Sequence, residues 1–427
     1  MRRGAARIAR MPAPYATLLA ALRSPLLPLW AVIALLPFGR SAELGVALAA
    51  VGAAFLFARQ PRALDAHAGA RLLLVLWGCY AGAALLSAPD AVAPGKSWGT
   101  VAAVLRFAPL GLYACFAVRR PARLRALYDG VALVLALWLA DAWLQAVTGL
   151  SLGGAAEAER LSGIFGAENL KLGPTLAALS PFAFAAARLR WGRRGLLAVF
   201  LLLLGPILLA GSRAAWLGFG LVCLGMAWHE TRAPLRFLAL GAALVLAALL
   251  AAGIAWRASP AFDARVQRSL LALQGSDSQV DAALAGRLRI WRDAGAMIAA
   301  HPWNGVGVRG FRYAYAQYAA PGDDFVQADG TGAAHAHQIV LEVLTETGAL
   351  GLGLWLCGAA VALRAWWRAG AAARERALPP ALGLVAMAFP LNTHLAFYSA
   401  WWGLLFWWLL AAYCAALHAD LPDAEAA

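Results

Sequence analysis

Histidine and arginine side chains set within one stretch could carry out transfer chemistry on an anionic substrate. Between Gly286 and Gly353 the chain reads GRLRIWRDAGAMIAAHPWNGVGVRGF, crosses a polar segment holding Gly322, Asp323 and Asp324, and arrives at AAHAHQIVLEVLTETGALGLG. His337 stands at the mouth of the long apolar run that follows, where water would meet lipid. A neutral imidazole there can accept a proton near ambient pH. Upstream lie Arg287, Arg289, Arg292, Arg309 and Arg312, and guanidinium groups hold phosphates and carboxylates through paired, charge-assisted donors.

Further polar groups fall at the ends of distant apolar runs. Arg213 follows Gly211 and Ser212; Arg160, Glu168, Asn169 and Lys171 flank another run; Asn392, His394 and Tyr398 lie at the last turn. Each has a plainer reading beside the functional one. His337 is either a base or an interfacial imidazole bonded to backbone, and Arg213 is either an anion contact or an anchor that snorkels to headgroups. Arg287 either meets substrate or pairs with Asp281 or Asp293, while Arg309 and Arg312 are solvated charges or a path for an anionic acceptor. His335 is expected to face water, and His394 is a bystander or a substrate contact. Arg106 and Asp141 sit at comparable depth inside spans, which favours a structural ion pair over a relay.

These groups need a membrane scaffold to position them. With 427 residues, 62% of them hydrophobic, and a mean hydropathy of +0.68, the chain has too little polar surface to cover a soluble globule. Apolar runs able to cross a bilayer, or nearly so, number about twelve between Pro25 and Leu417, so the expected fold is an all-α, polytopic integral membrane protein. The net charge of +14 points to arginine-rich cytoplasmic loops and not to nucleic acid. Arg59, Arg62 and Arg71, then Arg119 to Arg125, Arg188 to Arg194, Arg232 and Arg236, and Arg364 to Arg376 fall on alternate turns with the basic amino terminus. The other turns hold little more than Arg40, Lys96, Arg160, Lys171 and Arg213. Both termini are thereby expected in the cytoplasm, with the first apolar run kept as an anchor, and the long polar segment on the periplasmic side. Three regions result: residues 1–255 as amino-terminal transmembrane helices, 256–336 as the periplasmic loop region, and 337–427 as carboxy-terminal transmembrane helices.

The loop is expected to be partly helical, because Leu284, Leu288, Trp291, Gly295 and Ile298 recur at helical spacing before HPWNG ends the run. Arg287 lies roughly 50° from the centre of that face and Arg289 nearly opposite. Asp323 and Asp324 read as a solvated pair, no metal site stands out, and the GVGVRG run neither follows a strand nor opens a nucleotide fold. The five cysteines all fall in apolar runs, so neither a disulfide framework nor a zinc site is expected.

GRLRIWRDAGAMIAAHPWNGVGVRGF followed by AHQIVLEVLTETGALGL resembles the signature region of the O-antigen ligase and polymerase superfamily, and RLSGIFGAENLKLG and GSRAAWLGFG resemble further motifs of it. The single large loop and compact chain look most like O-antigen ligase. The resemblance implies a step of lipopolysaccharide biosynthesis in the bacterial inner membrane: metal-independent, inverting transfer of a finished O-antigen from undecaprenyl diphosphate to a sugar hydroxyl of lipid A-core, with no cofactor. It places His337, Arg213 and Arg287 as catalytic residues; Arg160, Asn169, Lys171, Arg289, Arg309 and Gln338 are the further candidates for substrate binding. Gln338 departs from the Asn that relatives often carry there.

The chemistry also follows from the donor. A sugar diphosphate already has a competent leaving group, so the protein must hold the departing charge and deprotonate an acceptor hydroxyl. A polymerase or a protein O-oligosaccharyltransferase would use the same donor. A secondary transporter with Arg106 and Asp141 lining a path is the alternative from another class, and no internal repeat supports it.

Overall fold

The computed structural model describes residues 23–64, 67–155, 160–167, 169–270, 276–393 and 396–419. The chain is mainly helical. Helices α1 (Leu27–Ala34), α2 (Glu43–Arg59), α3 (Ala68–Ser87), α4 (Pro94–Val104), α5 (Phe107–Ala117) and α6 (Pro121–Thr148) form the first part, followed by a two-stranded turn, β1 (Leu150–Ser151) and β2 (Gly154–Ala155). Then come α7 (Leu172–Leu209), α8 (Arg213–Thr231), α9 (Pro234–Ala258), α10 (Pro260–Leu270), α11 (Asp277–Ala283), α12 (Arg287–Ala300), α13 (Phe311–Ala314), α14 (Ile339–Arg368), α15 (Ala371–Ala388) and α16 (Ala400–Leu417).

Seven stretches among the described residues are long and apolar enough to cross a membrane, α4 and α5 counting together as one. The protein is therefore a multi-pass membrane protein, with fewer such stretches by this measure than the twelve runs expected. Part of the difference lies in α7, which is broken at Gly192 (φ 59°, ψ −144°). A methyl group on Gly195 would meet the Ala187 carbonyl at 2.5 Å, and one on Gly173 would meet Ala210 at 3.0 Å. The two ends of α7 thus lie side by side, so it is a helical hairpin that accounts for two of the expected runs.

Burial sorts the helices into an inner and an outer set. In α16 78% of the spanning window is buried, and in α9 none is. Along α16, Trp407 and Trp408 are 1% and 2% exposed, and Trp408 donates its indole N–H to Leu29 O at 3.0 Å. The buried aromatic pair, Trp408 with its polar edge satisfied, anchors the bundle, while the spanning window of α9 leaves its leucines to lipid.

The expected Arg106–Asp141 pair does not form. Arg106 bonds Glu43 at 3.2 Å, and Asp141 Oδ1 accepts from Leu152 N at 2.7 Å, fixing the β1–β2 turn. Equal depth in two spans does not make them neighbours; α2 packs on α5 and brings Glu43 instead.

The extramembrane segment has its own small core of Ile290, Ala294, Met297, Val306, Phe311, Ala314, Tyr315, Ala333 and Ala336. The buried face of α12 is therefore Ile290, Asp293, Ala294 and Met297, not the Leu288, Trp291 and Ile298 stripe. That stripe is half-buried and forms a second contact, with Trp291 donating to Ala336 O at 3.0 Å. Apolar spacing identifies one contact face of a helix that has two. Arg287 lies between them, about 60° from either centre. Asp323 is buried rather than solvated, accepting from Phe325 N at 2.8 Å, and Asp324 is exposed.

The loop is locked into the membrane part through a break in α14. Gly348 is non-helical (φ 63°, ψ −169°), and residues 302–306 fill the gap. Ala349 N donates to Pro302 O at 2.8 Å, Leu350 N to Trp303 O at 3.1 Å, and Val306 N to Thr345 O at 2.8 Å. Backbone groups freed by the kink are satisfied by the inserted loop.

Candidate functional site

His337 stands two residues before α14, at φ +54°. A non-glycine residue in this left-handed region costs roughly 1–2 kcal/mol and is held there by its surroundings. Its Nδ1 lies 2.9 Å from the Thr393 carbonyl. A carbonyl oxygen can only accept, so Nδ1 carries the proton and Nε2 presents a lone pair. The next residue, Gln338, is the N-cap of α14, its Oε1 accepting from Leu341 N at 2.6 Å. Capping ties the imidazole to the start of a rigid helix.

His335 is buried, against the expectation that it faces water. Its ring centroid is 4.0 Å from that of His337. Its Nδ1 faces the His337 backbone N–H at 3.3 Å and Glu342 Oε2 at 3.2 Å. Bare, that nitrogen accepts from the amide; protonated, it donates to the carboxylate. The other oxygen of Glu342 accepts from Phe397 N at 2.7 Å, and Glu342 is fully buried. Glu342 thus ties α14 to the turn that also supplies Thr393, with its other oxygen facing the His335 loop. Glu346, one helical turn on, accepts from Arg309 N at 2.9 Å and holds that residue at φ +61°.

The arginines lie beside these histidines. Burial first, then the charges of Arg213 and Arg160, push Arg287 down to about 10. Burial, then Arg268 and Arg160, lowers Arg213. Arg160, Arg213 and Arg287 therefore form a positive cluster, and no carboxylate among the described residues figures in the charges acting on Arg213 or Arg287. Such a cluster favours an anion that shares its charge. Burial chiefly, then His335, with Arg287 adding, pushes His337 down to about 3, against the opposing pull of Thr393 O. Burial, Arg309 and Arg287 push His335 to about 3 as well. Both rings are neutral at ordinary pH.

Separate elements position each arginine. Arg213 opens α8, whose N-cap Ser212 accepts from Ala215 N at 3.2 Å, and it reaches Ser269 of α10 at 3.4 Å. Gly211 before it adopts φ +70°, and Arg265 lies where a side chain there would be. Arg287 opens α12 after Gly286, which is at φ +76°.

The other expected residues divide. Arg309 stands near enough to His335 to depress it. Arg289 has its donors committed to Asp281 at 3.0 Å and Asp324 at 3.4 Å, which also removes Asp281 as a partner for Arg287. Asn169 donates to Phe165 O at 3.1 Å and keeps a buried Oδ1 without a partner among the described residues. Lys171 lies 4.9 Å over the Trp401 ring. Glu168 and His394 lie outside the described residues. Among the described residues, no three His, Cys, Asp or Glu side chains converge as a metal ion requires.

Sequence reasoning assigns no role to Glu342, Glu346 or Thr393. Two carboxyls four residues apart at the head of an apolar run are the available signal for the glutamates; Thr393 contributes only a backbone oxygen and gives none. Residues 175–356 match the family model described as O-antigen ligase, a stretch that contains Arg213, Arg287 and His337. No curated protein matches the chain.

Proposed function

On the match of residues 175–356 to the O-antigen ligase family model, we propose that this membrane protein is a member of that family and transfers O-antigen from undecaprenyl diphosphate to lipid A-core at the periplasmic face of a bacterial inner membrane. The single observation that carries the chemistry is a neutral imidazole with a free Nε2 beside Arg213 and Arg287, on neither of which a described carboxylate acts.

Arg160, Arg213 and Arg287 receive the diphosphate. The bond between the anomeric carbon and the phosphate oxygen breaks, and the electron pair leaves on the diphosphate, where paired guanidinium donors hold it. The acceptor hydroxyl oxygen attacks from the opposite face, which inverts the anomeric centre, and its proton passes to His337 Nε2. The arginines supply the positive charge that a metal ion would otherwise bring, so the reaction is proposed to be metal-independent.

The test is transfer by the purified, lipid-reconstituted protein, with lipid-linked glycan, lipid A-core and EDTA present. Joined product is expected. His337→Ala should lower the rate by about 10²- to 10⁴-fold and Arg287→Ala by about 10²- to 10³-fold. Undiminished product from both variants would remove the assignment. Lengthened donor in place of joined product would identify a polymerase, and glycan on a protein acceptor an oligosaccharyltransferase.

A further inference from the structure

A concavity opens on the extramembrane segment. It encloses about 550 Å³ and is lined by Arg312, Phe325, Gln327, Asp329, Thr331 and the backbone through Ala334. Small-ligand sites span about 300–1,000 Å³. Its rim is a built turn: Gln327 N donates to Thr331 O at 2.7 Å and Gly330 N to Gln327 O at 2.9 Å. Asp329 Oδ1 accepts from both Thr331 N at 2.9 Å and Thr331 Oγ1 at 2.7 Å. Gly332 N donates to Arg312 O at 2.8 Å and joins the rim to α13.

These bonds leave good donors and acceptors for a visitor. Arg312 reaches Thr331 Oγ1 at 3.4 Å, while its Nε is buried with no hydrogen-bond partner among the described residues. An unpaired buried N–H on a cation is costly, and Arg312 also lines the pocket. Asp329 keeps its second oxygen, Gln327 its amide oxygen, and Phe325 adds an aromatic surface. The charges of Arg312 and Asp329 cancel, so the lining does not select a simple anion. Paired donors and acceptors beside an aromatic ring match a pyranose, whose vicinal hydroxyls need both and whose C–H face needs apolar contact.

The pocket lining includes Thr331 through Ala334, and the chain continues from there to His335 and His337. We infer that it is a saccharide subsite that grips the glycan one or more sugar units away from the bond being made. The inference rests on the glycosyl-transfer reading of the adjacent site. Either the donor glycan or the acceptor oligosaccharide supplies the sugar, and the two sources are separated by which substrate's KM responds.

The experiment uses the full chain in lipid nanodiscs with two probes, the glycan released from the donor and the delipidated acceptor oligosaccharide. Binding of each is measured by saturation-transfer NMR for the wild type, Arg312→Gln, Gln327→Ala and His337→Ala, and transfer kinetics follow for the first three. One probe should bind the wild type and His337→Ala alike and bind Arg312→Gln and Gln327→Ala roughly tenfold more weakly. The KM of the matching substrate should rise by a similar factor with kcat within twofold, and a substrate cut to one sugar at the reacting end should not distinguish the variants. Equal binding by all four proteins, or an equal kcat loss on the cut substrate, would overturn the inference. Binding without any transfer by the wild type would instead reject the proposed reaction and leave the subsite standing.

Discussion

At the scale of single residues, His337 combines a fixed lone pair with very low basicity. The free protein holds it near 3, chiefly by burial. A bound diphosphate would neutralise Arg287 and Arg213 and favour the imidazolium, raising that value in the complex. Two pH limbs should therefore separate. The kcat/KM profile reports the free protein and should stay flat as pH falls through 6.5; the kcat profile reports the loaded site and should break at higher pH. Initial rates across pH test this, and a kcat/KM limb near 6.5 would contradict it. His337 itself is legible in the sequence as an imidazole at an apolar boundary. Its tautomer is not, because Thr393 O comes from a turn 56 residues away.

At the scale of elements, the break at Gly348 decides how the loop meets the bundle. A side chain there would be strained at φ +63° and would strike Trp303. Gly348→Ala should therefore destabilise by about 2 kcal/mol or more and lower transfer, since residues 302–309 carry Arg309 to Glu346. Thermal unfolding in detergent reads the first effect, and a Tm equal to the wild type would refute the docking argument. The motif HPWNG is legible as a helix stop, but where the stopped chain inserts depends on a kink in another helix. Similarly, the apolar spacing of α12 discloses one face, and the second belongs to Ile290, Ala294 and Met297, which meet a core assembled from residues up to Ala336.

At the scale of the whole molecule, the two ends of the bundle differ in charge chemistry. At one end Arg188 and Arg193 pair with a mostly covered Glu230, Arg190 pairs with Asp129, and Arg232 with Glu375; the last two are exposed pairs of small energetic weight. At the other, Arg289 pairs with Asp281 and Asp324, but Arg213 and Arg287 sit beside Arg160 with no carboxylate among the described residues acting on those two. Cysteines placed at Gln327 and Arg194 should label from opposite sides of the membrane with an impermeant reagent, Gln327→Cys from the periplasm. Labelling of both from one side would reverse the proposed orientation.

Hydropathy and arginine spacing alone determined that the chain is a helical membrane protein and which residues could hold an anion or a proton, because lipid imposes period and composition locally along the chain. Only the tertiary structure decided that Arg289 and Asp281 neutralise each other while Arg287 stays free of Asp281. It also decided that Glu342 reaches across 55 residues to the backbone of Phe397, because pairing depends on distances between elements that no local pattern encodes.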